Sequence, residues 1–423
     1  MIQESVKRLL HRVNNEDNRT REFPPSIYMA PSVLRDLSPS SFNPRLVAIG
    51  PLHREDENVK AFEGQKINYL INLMSRINSP QEEILESCMQ KAYNVMNKIK
   101  GYYIWTKTFS DAEIAEMMVL DACFIIGFII DNQESYHKEK YMGKELQFRT
   151  IMDDLVLLEN QIPLFFVDQI FQCTVLKFDS KASFIKLITP ILICNNLFEA
   201  DLKFDHVSIH TDHFLSLLHQ CYMPPANYIK KEFMSKIIHS AIDLDRAGVN
   251  FKPSKDPTWV MDMEVKQNQH PCFFWSWNKP TLTMPVLLVH DSTELLFRNL
   301  IAYEQSFPTK CYVSSYASVM DKLVNTQDDV AKLVESKVLI NIMGSNKEAA
   351  NMINKICKKV IVSNSYYEEE LEKLIKYCNR SWPKHIAKMR STYFSSPWSI
   401  IALVAGIILF VLQAVQTIFT IKS

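Results

Sequence analysis

The sequence predicts a mainly α protein: a multi-helix globular body with a small two- or three-stranded β element and one C-terminal transmembrane helix. Three observations predict this class. About ten segments carry apolar residues at helical spacing, a short stretch near residues 256–290 is rich in β-branched and aromatic residues, and the end of the chain is apolar and uncharged. We expect a flexible N-terminal arm at 1–22, a single large helical domain at 23–390 and a transmembrane helix at 397–421.

The first fifty residues predict little regular structure. The arm at 1–22 is polar, and within it Ile2 to Val13 has the pattern of a short amphipathic helix. Six prolines interrupt the chain between Phe23 and Pro51. Because proline fixes φ and removes a backbone donor, this stretch is predicted to be extended, with short turns over the core.

Helical periodicity begins after this stretch. Residues 62–77 and 80–99 are predicted helices. The next helix, at 110–130, begins with a capping box formed by Ser110 and Glu113 and continues as an apolar run that contains Asp121. The run is too short and too charged to span a membrane, so it predicts a central core helix.

Less regular patterns follow. The helical pattern resumes at 149–171, where Pro163 is predicted to kink or divide the helix. Residues 174–208 are predicted to be irregular. Helices are predicted again at 211–221 and at 228–247.

The β element is predicted from three short runs, WVMDMEV, CFFWSW and LTMPVLLV, which lie between residues 259 and 289. Their content of Val, Trp, Phe and Thr favours two or three strands. Five further helices are predicted by period, at 293–303, 317–324, 328–343, 347–359 and 366–377.

The end of the chain predicts a membrane span. No charged residue occurs between Arg390 and Lys422. A helix over 397–421 would rise about 37 Å at about 1.5 Å per residue, which is enough to cross a hydrocarbon core about 30 Å thick. The competing interpretation is a buried helix of a soluble core, but such helices are rarely this long or this free of charge.

One face of the predicted span favours association between helices. Small and polar residues recur there at alternating spacings of four and three, at Ala402, Gly406, Leu409, Gln413, Gln416 and Thr420. Such a stripe lets two helices approach and hydrogen-bond in lipid, so a homo-oligomer is one hypothesis. A lone anchor whose glutamines lie near the interface is the alternative.

The flanking charges predict the orientation. Four basic or histidine residues precede the span, and only Lys422 follows it; the four are Lys384, His385, Lys388 and Arg390. The positive-inside rule then places the large domain in the cytoplasm. The N-terminus has no apolar run of a secretory signal, so the chain is expected to be tail-anchored. Two sequons, at Asn18 and Asn379, would be usable only in the opposite orientation.

Composition argues against several classes of function. Lys plus Arg and Asp plus Glu are both 47, so there is no general attraction to nucleic acid. The nine cysteines include no CxxC pair and the eight glycines form neither GxGxxG nor a P-loop, so neither a structural zinc site nor a dinucleotide cofactor is predicted. No GxSxG or HExxH motif occurs. We therefore predict no cofactor and no resident metal.

Polar residues in apolar surroundings are the candidate site residues. Asp121 and Glu159 are expected to be buried, with Arg298 and Glu304 in a similar half-apolar setting. An isolated buried carboxylate is costly, so each needs a partner or a raised pKa. An acid–base pair is one interpretation; structural pairing with Arg298 or with a helix terminus is the other.

The densest histidine group offers a second candidate. It comprises His206, His210, His213 and His219. On one helix the first three would share a face and could hold zinc. Ordinary surface and capping histidines are the alternative, because Thr211 is a plausible N-cap that would interrupt such a helix.

Several motifs occur together in a characteristic order: IYMAPSVLRDLSPSSFNPRLVAIGPLHR, LDACFII, LLENQIPLFF, AGVNF, RNLIAYEQ and YFSSPW. In this respect the chain resembles the plant family catalogued as domain of unknown function 247, over nearly its whole length. Phe42, Ala48 and Leu52 are small departures from the family pattern. The resemblance implies a plant membrane protein, usually at the plasma membrane, with no established catalytic residues. Some grass members are regarded as self-incompatibility determinants, a role that membership alone does not transfer.

Together these observations favour a membrane-anchored, non-enzymatic interaction or signalling protein, with an unknown protein partner and a role in cell–cell recognition or self-incompatibility as a hypothesis. The alternative is a membrane-bound enzyme with an unrecognised active site. A deep polar pocket around Asp121, Glu159 or the histidines would favour that alternative.

Overall fold

The computed structural model describes residues 2–17, 24–136, 144–204, 211–226, 228, 231–232, 239–255, 257–266, 279–306, 311–362, 364–379 and 397–422. The described chain is mainly helical and carries a few short strands, as the sequence predicted. It divides into two compact units. Unit 1 comprises Met1–Asn196, Leu202–Cys221 and Leu295–Phe307, and unit 2 comprises Leu197–Asp201, Tyr222–Glu294 and Pro308–Ser423. The range 23–390, which we predict to be one domain, contributes residues to both units. Because the chain passes between them more than once, no single linker marks the division.

Unit 1 is helical. Its elements are α1 (Ile2–Asp17), α2 (Ser32–Arg35), α3 (Glu57–Lys60), α4 (Glu63–Ser75), α5 (Gln81–Asn94), α6 (Met96–Gly101), α7 (Asp111–Tyr136), α8 (Glu145–Asp154), α9 (Leu164–Phe178), α10 (Phe184–Cys194), α11 (Phe214–Cys221) and most of α13 (Thr293–Ser306).

The predicted central core helix is confirmed in α7. Side chains of α7 from Ile114 to Ile129 are largely buried, and α4, α5, α9 and α10 pack against it. Gly127 permits the close approach of α4, because a Cβ there would lie 3.0 Å from the carbonyl oxygen of Tyr69. The burial of one helix on several sides explains why its apolar run is nearly continuous.

Local sequence signals account for several helix ends. The predicted capping box is confirmed, since Ser110 N donates to Glu113 Oε2 at 2.7 Å and Glu113 N donates to Ser110 Oγ at 3.3 Å. Pro163 divides the helical pattern into α8 and α9, as predicted, and stands at the N-cap of α9. There its missing N–H leaves no helical bond unmade.

The expectation of irregular structure at 174–208 is wrong in part, because α10 lies within it. Pro190 stands inside this helix. The burial of Phe184, Ile188 and Ile191 outweighs the hydrogen bond that proline removes.

In the described part of unit 2, helices are combined with three small sheets. Its helices are α12 (Ala241–Arg246), α14 (Tyr312–Leu323), α15 (Gln327–Glu335), α16 (Asn346–Ile356), α17 (Glu368–Cys378) and α18 (Pro397–Lys422). Its strands are β1 (Lys231–Glu232), β2 (Asn250–Pro253), β3 (Glu264–Lys266), β4 (Thr281–Met284), β5 (Leu287–Val289), β6 (Leu339–Asn341) and β7 (Asn364–Ser365).

The sheets are two- or three-stranded. β4 lies between β2, which is parallel to it, and β3, which is antiparallel; β1 pairs with β7 and β5 with β6. The alternating pattern in LTMPVLLV thus forms two strands, separated at Pro285, whereas CFFWSW lies outside the described residues. Strand pairing between distant segments was not visible in the sequence.

Two predicted helices of unit 2 are shorter than expected. The described part of 228–247 is helical only in α12 and contributes β1. Within the range 328–343, the helix α15 ends at Glu335. A turn at Lys337, which has φ 59°, then leads into β6. The apolar residues of VLIN belong to a strand, and their spacing over four residues could not distinguish the two states.

The apolar C-terminal segment forms α18. Within the described residues, no helix meets both the length and the apolar character needed to cross a membrane.

Candidate functional site: a buried charged cluster

The segment 24–54 of unit 1 is extended and proline-rich, as the sequence predicted, with α2 and one turn of 3₁₀ helix at Pro39–Ser41. An extended segment cannot satisfy its own backbone amides. In unit 1, buried acidic and amide side chains of α7, α8 and the 155–161 turn accept hydrogen bonds from it. We call this segment the N-terminal strap.

Asp121 is the first of these acceptors. It is fully buried in α7, and its carboxylate contacts Lys66 Nζ at 2.6 Å, Arg54 Nη1 at 2.9 Å and the backbone amide of Gly50 at 2.8 Å. Lys66 is fully buried as well and also contacts Glu63 at 2.7 Å. Two cations and one amide thus surround a single carboxylate, which offsets the cost of removing it from water.

Glu159 has a parallel arrangement. Its carboxylate accepts from the amide of Ala30 at 2.9 Å and contacts His53 Nε2 at 2.9 Å and Arg35 Nη1 at 3.2 Å. The other ring nitrogen of His53 lies 2.6 Å from Asp56. We call Arg35, His53, Arg54, Asp56, Glu63, Lys66, Asp121 and Glu159 the charged cluster.

A third carboxylate binds the strap through backbone amides alone. Asp154, at the end of α8, accepts from the amides of Arg45, Leu46 and Val47 at 2.8–2.9 Å. Burial raises the pKa of Asp154 to about 6, in spite of these three hydrogen bonds.

Two buried amide side chains continue this pattern. Asn160 Oδ1 accepts from the amide of Ile49 at 2.7 Å. Asn299 of α13 donates to Ser41 O at 2.6 Å and accepts from the amide of Leu158 at 2.8 Å. The strap is therefore held along most of its length by polar side chains that have no access to water.

Gly50 marks the tightest point of the strap. Its φ is +70°, and a Cβ there would lie 2.6 Å from the carbonyl oxygen of Gln161 and 2.9 Å from Tyr103 Oη. Tyr103 itself donates to that carbonyl at 3.0 Å. Burial, with Asp121 nearby as a smaller cause, raises the pKa of Tyr103 well above its ordinary value, so the hydroxyl keeps its proton. Only glycine satisfies both the backbone conformation and the space.

The geometry of the charged cluster is that of a structural clamp. Asp121 and Glu159 each bind a separate set of cations and amides from the strap or α4. Carboxylates used in this way are acceptors for internal donors. Removing one charged side chain of a buried pair would leave its partner's charge uncompensated.

The other candidate residues lie apart from the charged cluster. Arg298 and Glu304 are buried on α13, and Glu304 pairs with His219 Nε2 at 2.9 Å. The cations that contact Asp121 and Glu159 belong to residues 35–66. These cations come from the strap and, in the case of Lys66, from α4.

The histidine group is divided. His213 is buried, its Nε2 donates to Ser26 O at 3.2 Å, and burial lowers the pKa of His213 to about 3. His206 and His210 lie outside the described residues. Among the described side chains, no group of three or more His, Cys, Asp or Glu is arranged to hold a metal ion.

Sequence reasoning missed the cations of the charged cluster. Lys66 occupies a core position of α4, between the buried Phe62 and Leu73, and a lysine on an apolar helix face was an available signal. Arg35, His53 and Arg54 carried no local signal, because their partners are far away in the chain.

The predicted association face of α18 lies in the described helix. Gly406 has no neighbouring atom within 4 Å of an added Cβ, and Ala402, Leu409, Gln413 and Gln416 are exposed. The side chain of Thr420 lies outside the described residues.

The chain is similar to two UPF0481 proteins of Arabidopsis thaliana. At3g02645 is 22% identical over 95% of this chain and 91% of the relative, and At3g47200 is 24% identical over 94% of this chain and 86% of the relative. No solved structure matches. A family model described as plant protein of unknown function, DUF247, matches residues 27–412, a range that includes the strap from residue 27 onward and the whole charged cluster. The chain therefore belongs to the plant DUF247 family.

Proposed function

We propose that the chain is a membrane-anchored, non-enzymatic interaction protein, whose body presents a surface to a protein partner. The observation that carries the proposal is the composition of α18, which has no charged residue from 397 to 421. Large apolar side chains such as Ile407, Phe410 and Leu412 are exposed on it. Exposing this much apolar surface to water is unfavourable, and a bilayer removes that cost.

The charged cluster supports the non-enzymatic part of the proposal. Its two buried carboxylates already bind internal cations and backbone amides, which fits a role in stability. The chain also has none of the glycine-rich or nucleophile motifs that bind phosphates or activate a serine.

The anchor can be tested by fractionation of the full-length chain in plant cells. We expect it to stay in the membrane pellet through an alkaline carbonate wash. The double variant Ile407→Asp, Val411→Asp should shift it to the supernatant, because each central acidic residue costs about 2.5–3.5 kcal/mol of insertion. The matched control is Ile342→Asp, Ile361→Asp, which changes two exposed apolar residues of unit 2 outside α18. Recovery of the unmodified chain in the supernatant would contradict the proposal.

We propose that the large domain faces the cytoplasm at the plasma membrane. The sequons at Asn18 and Asn379 provide the readout, because glycosylation requires exposure to the lumen of the secretory pathway. We expect no shift in mobility after endoglycosidase treatment, and an added sequon beyond Lys422 should become glycosylated. Glycans on Asn379 would show that the large domain faces the lumen and would contradict the proposed orientation.

We propose that the partner is a protein at the same membrane. The process that the family resemblance suggests is cell–cell recognition, which includes self-incompatibility. Proximity labelling from native membranes would identify it. The Ile407→Asp, Val411→Asp chain is the control, because it keeps the folded body but is expected to leave the membrane.

A homo-oligomer through the small and polar face of α18 is a further part of the proposal. Polar contacts between helices in lipid contribute about 0.6–2 kcal/mol each. Gly406→Leu with Gln413→Leu should therefore lower the yield of cross-linked dimer in membranes several-fold, while Ile408→Leu, which leaves this face intact, should not. Equal yields would exclude association through this face.

A further inference from the structure

Three cysteines that are far apart in the sequence meet in the core of unit 1. Cys88 of α5, Cys123 of α7 and Cys173 of α9 have exposed fractions of 0%, 0% and 8%. Their three helices pack against one another. The thiol of Cys173 donates a hydrogen bond to Cys88, and the thiol of Cys88 donates to Cys123. We call these three side chains the thiol cluster.

The thiol cluster reaches the protein surface at one end. Cys173 is its most exposed member, and the exposed Ser87 donates from Oγ to Cys173 Sγ at 3.8 Å. The exposed side chain of Lys91 lies close enough to favour the anion of Cys173. A small reagent from the solvent therefore meets Cys173 first and Cys88 next.

The arrangement offers more than apolar packing. A buried cysteine commonly acts as a small hydrophobic side chain, and that role needs no second sulfur. Here each thiol has another thiol as its hydrogen-bond partner. Side-chain rotation and a small shift of the helices can bring two such sulfurs to the disulfide bond length of about 2.05 Å.

We propose that the thiol cluster is a redox site at which hydrogen peroxide joins Cys173 to Cys88 in a disulfide. First, the sulfur of Cys173 attacks the peroxide: an S–O bond forms, the O–O bond breaks, and the departing oxygen takes the Cys173 proton and leaves as water. Then the sulfur of Cys88 attacks the sulfenic acid at Cys173. The S–S bond forms, the S–O bond breaks, and the oxygen leaves with the Cys88 proton as a second water. Two thiols thus lose two electrons, and one peroxide is reduced to two waters.

The surroundings of the thiol cluster set a threshold for this reaction. Donation to Cys123, with burial as a smaller cause, raises the pKa of Cys88 to about 12. Donation to Cys88, together with burial, raises the pKa of Cys173 as well. Because the thiolate is the reactive form, the folded chain should react slowly and only under sustained peroxide.

The disulfide would have a defined effect on unit 1. It would tie α5 to α9, two helices that pack on the central helix α7. It would also close a long loop between Cys88 and Cys173, which restricts the unfolded chain. Oxidation is therefore expected to make unit 1 more resistant to unfolding, and reduction to reverse this.

The test exposes the reduced, purified full chain to hydrogen peroxide under native conditions. Remaining thiols are then alkylated in denaturant and the peptides are analysed by mass spectrometry. We expect a peptide pair that links Cys88 to Cys173 and separates on reduction. Thermal unfolding should shift upward by several degrees in the oxidised chain. This measurement needs no variant, so it does not depend on how well a variant folds.

Three variants sharpen the assignment. Cys173→Ser, which keeps a polar atom beside Ser87, should remove both the link and the shift in unfolding temperature. Cys123→Ala should retain the link. Cys221→Ala is the matched control and should behave like the parent, because Cys221 of α11 is similarly buried, at 7% exposed, and its pKa is raised by burial.

Two outcomes would overturn the proposal. One is recovery of Cys88 and Cys173 as free thiols after an exposure that oxidises the partly exposed Cys357 of unit 2. The other is a link that forms only when peroxide is added in denaturant, because the folded thiol cluster would then not be the reacting species.

Discussion

The two units of the molecule stabilise buried acidic side chains in different ways. In unit 1, Asp121 is neutralised by Lys66 and Arg54, and its partners are 55 and 67 residues away in the sequence. In unit 2, Asp329 is equally buried but accepts from uncharged groups: the amides of Ile242, Asn325 and Thr326 and the Thr326 hydroxyl. Burial alone raises the pKa of Asp329, but its hydrogen bonds outweigh burial and the net pKa is lowered. The comparison teaches that uncharged donors can hold a buried carboxylate, at Asp329 in unit 2 as at Asp154 in unit 1, whereas Asp121 is compensated by two full charges.

The largest effect is expected at Asp121. Asp121→Asn leaves the fully buried Lys66 without its closest anion, so unit 1 should lose about 3–5 kcal/mol of unfolding free energy. Urea unfolding followed by hydrogen exchange of peptides from unit 1 would measure it. Lys66→Met with Asp121→Leu should cost less than Asp121→Asn alone, because no unpaired charge remains. Glu335→Gln, at an exposed pair with Lys332, is the control and should leave stability unchanged. A loss below about 1 kcal/mol for Asp121→Asn would remove the distinction between the units.

The pH dependence of unit 1 should carry the signature of Asp154. Its pKa is 3.8 in a model compound and about 6 in the folded chain, so the folded state holds this proton more tightly than the unfolded state. Its contribution to stability is therefore complete below about pH 4 and falls by about 3 kcal/mol as pH rises to about 6. His213 has the opposite sign, because its folded pKa is about 3 against 6.5. Urea unfolding from pH 4 to 7 should show that Asp154→Asn removes the falling component and His213→Gln does not. Identical slopes for Asp154→Asn and the parent chain would contradict this assignment.

Two glycines offer a matched pair of changes within unit 1. Gly50→Ala should destabilise it by about 2–4 kcal/mol, since a left-handed residue and a steric clash each cost about 1–3 kcal/mol. Gly64→Ala, on α4 with open space around it, should instead stabilise the helix by about 0.5–1 kcal/mol. Thermal unfolding of both variants would check the signs. Equal tolerance at both positions would show that the strap relaxes freely and is not clamped.

The smallest destabilisation is expected in unit 2. Asp329→Ala removes the acceptor of a helix N-cap, which costs about 1–2 kcal/mol, less than Asp121→Asn in unit 1. Hydrogen exchange of the amides of Asn325, Thr326 and Ile242 should accelerate selectively. A loss as large as that of Asp121→Asn would mean that local dipoles and long-range ion pairs are equivalent here.

Local patterns in the sequence predicted many helices of both units, and they did so where one signal was decisive. The capping box at Ser110 and Glu113 and the division at Pro163 appear where the sequence placed them. The errors occurred where burial overrode a local preference, as at Pro190 in α10, or where an apolar run was too short to show its period, as at β6. The burial of Asp121 and Glu159 followed from their apolar neighbours, but the identity of their partners did not.

By itself, the sequence determined the helical class of this protein, its membership in the DUF247 family and the apolar, uncharged composition of its C-terminal helix, because periodicity, motif order and charge are properties of neighbouring residues. Tertiary structure alone decided that the strap, together with Lys66 of α4, supplies the partners of Asp121, Glu159 and Asp154. The amide of Ala30 and the carboxylate of Glu159 are 129 residues apart, and only the packing of unit 1 brings them within hydrogen-bonding distance. A buried charge makes a partner necessary, and the folded chain selects which one.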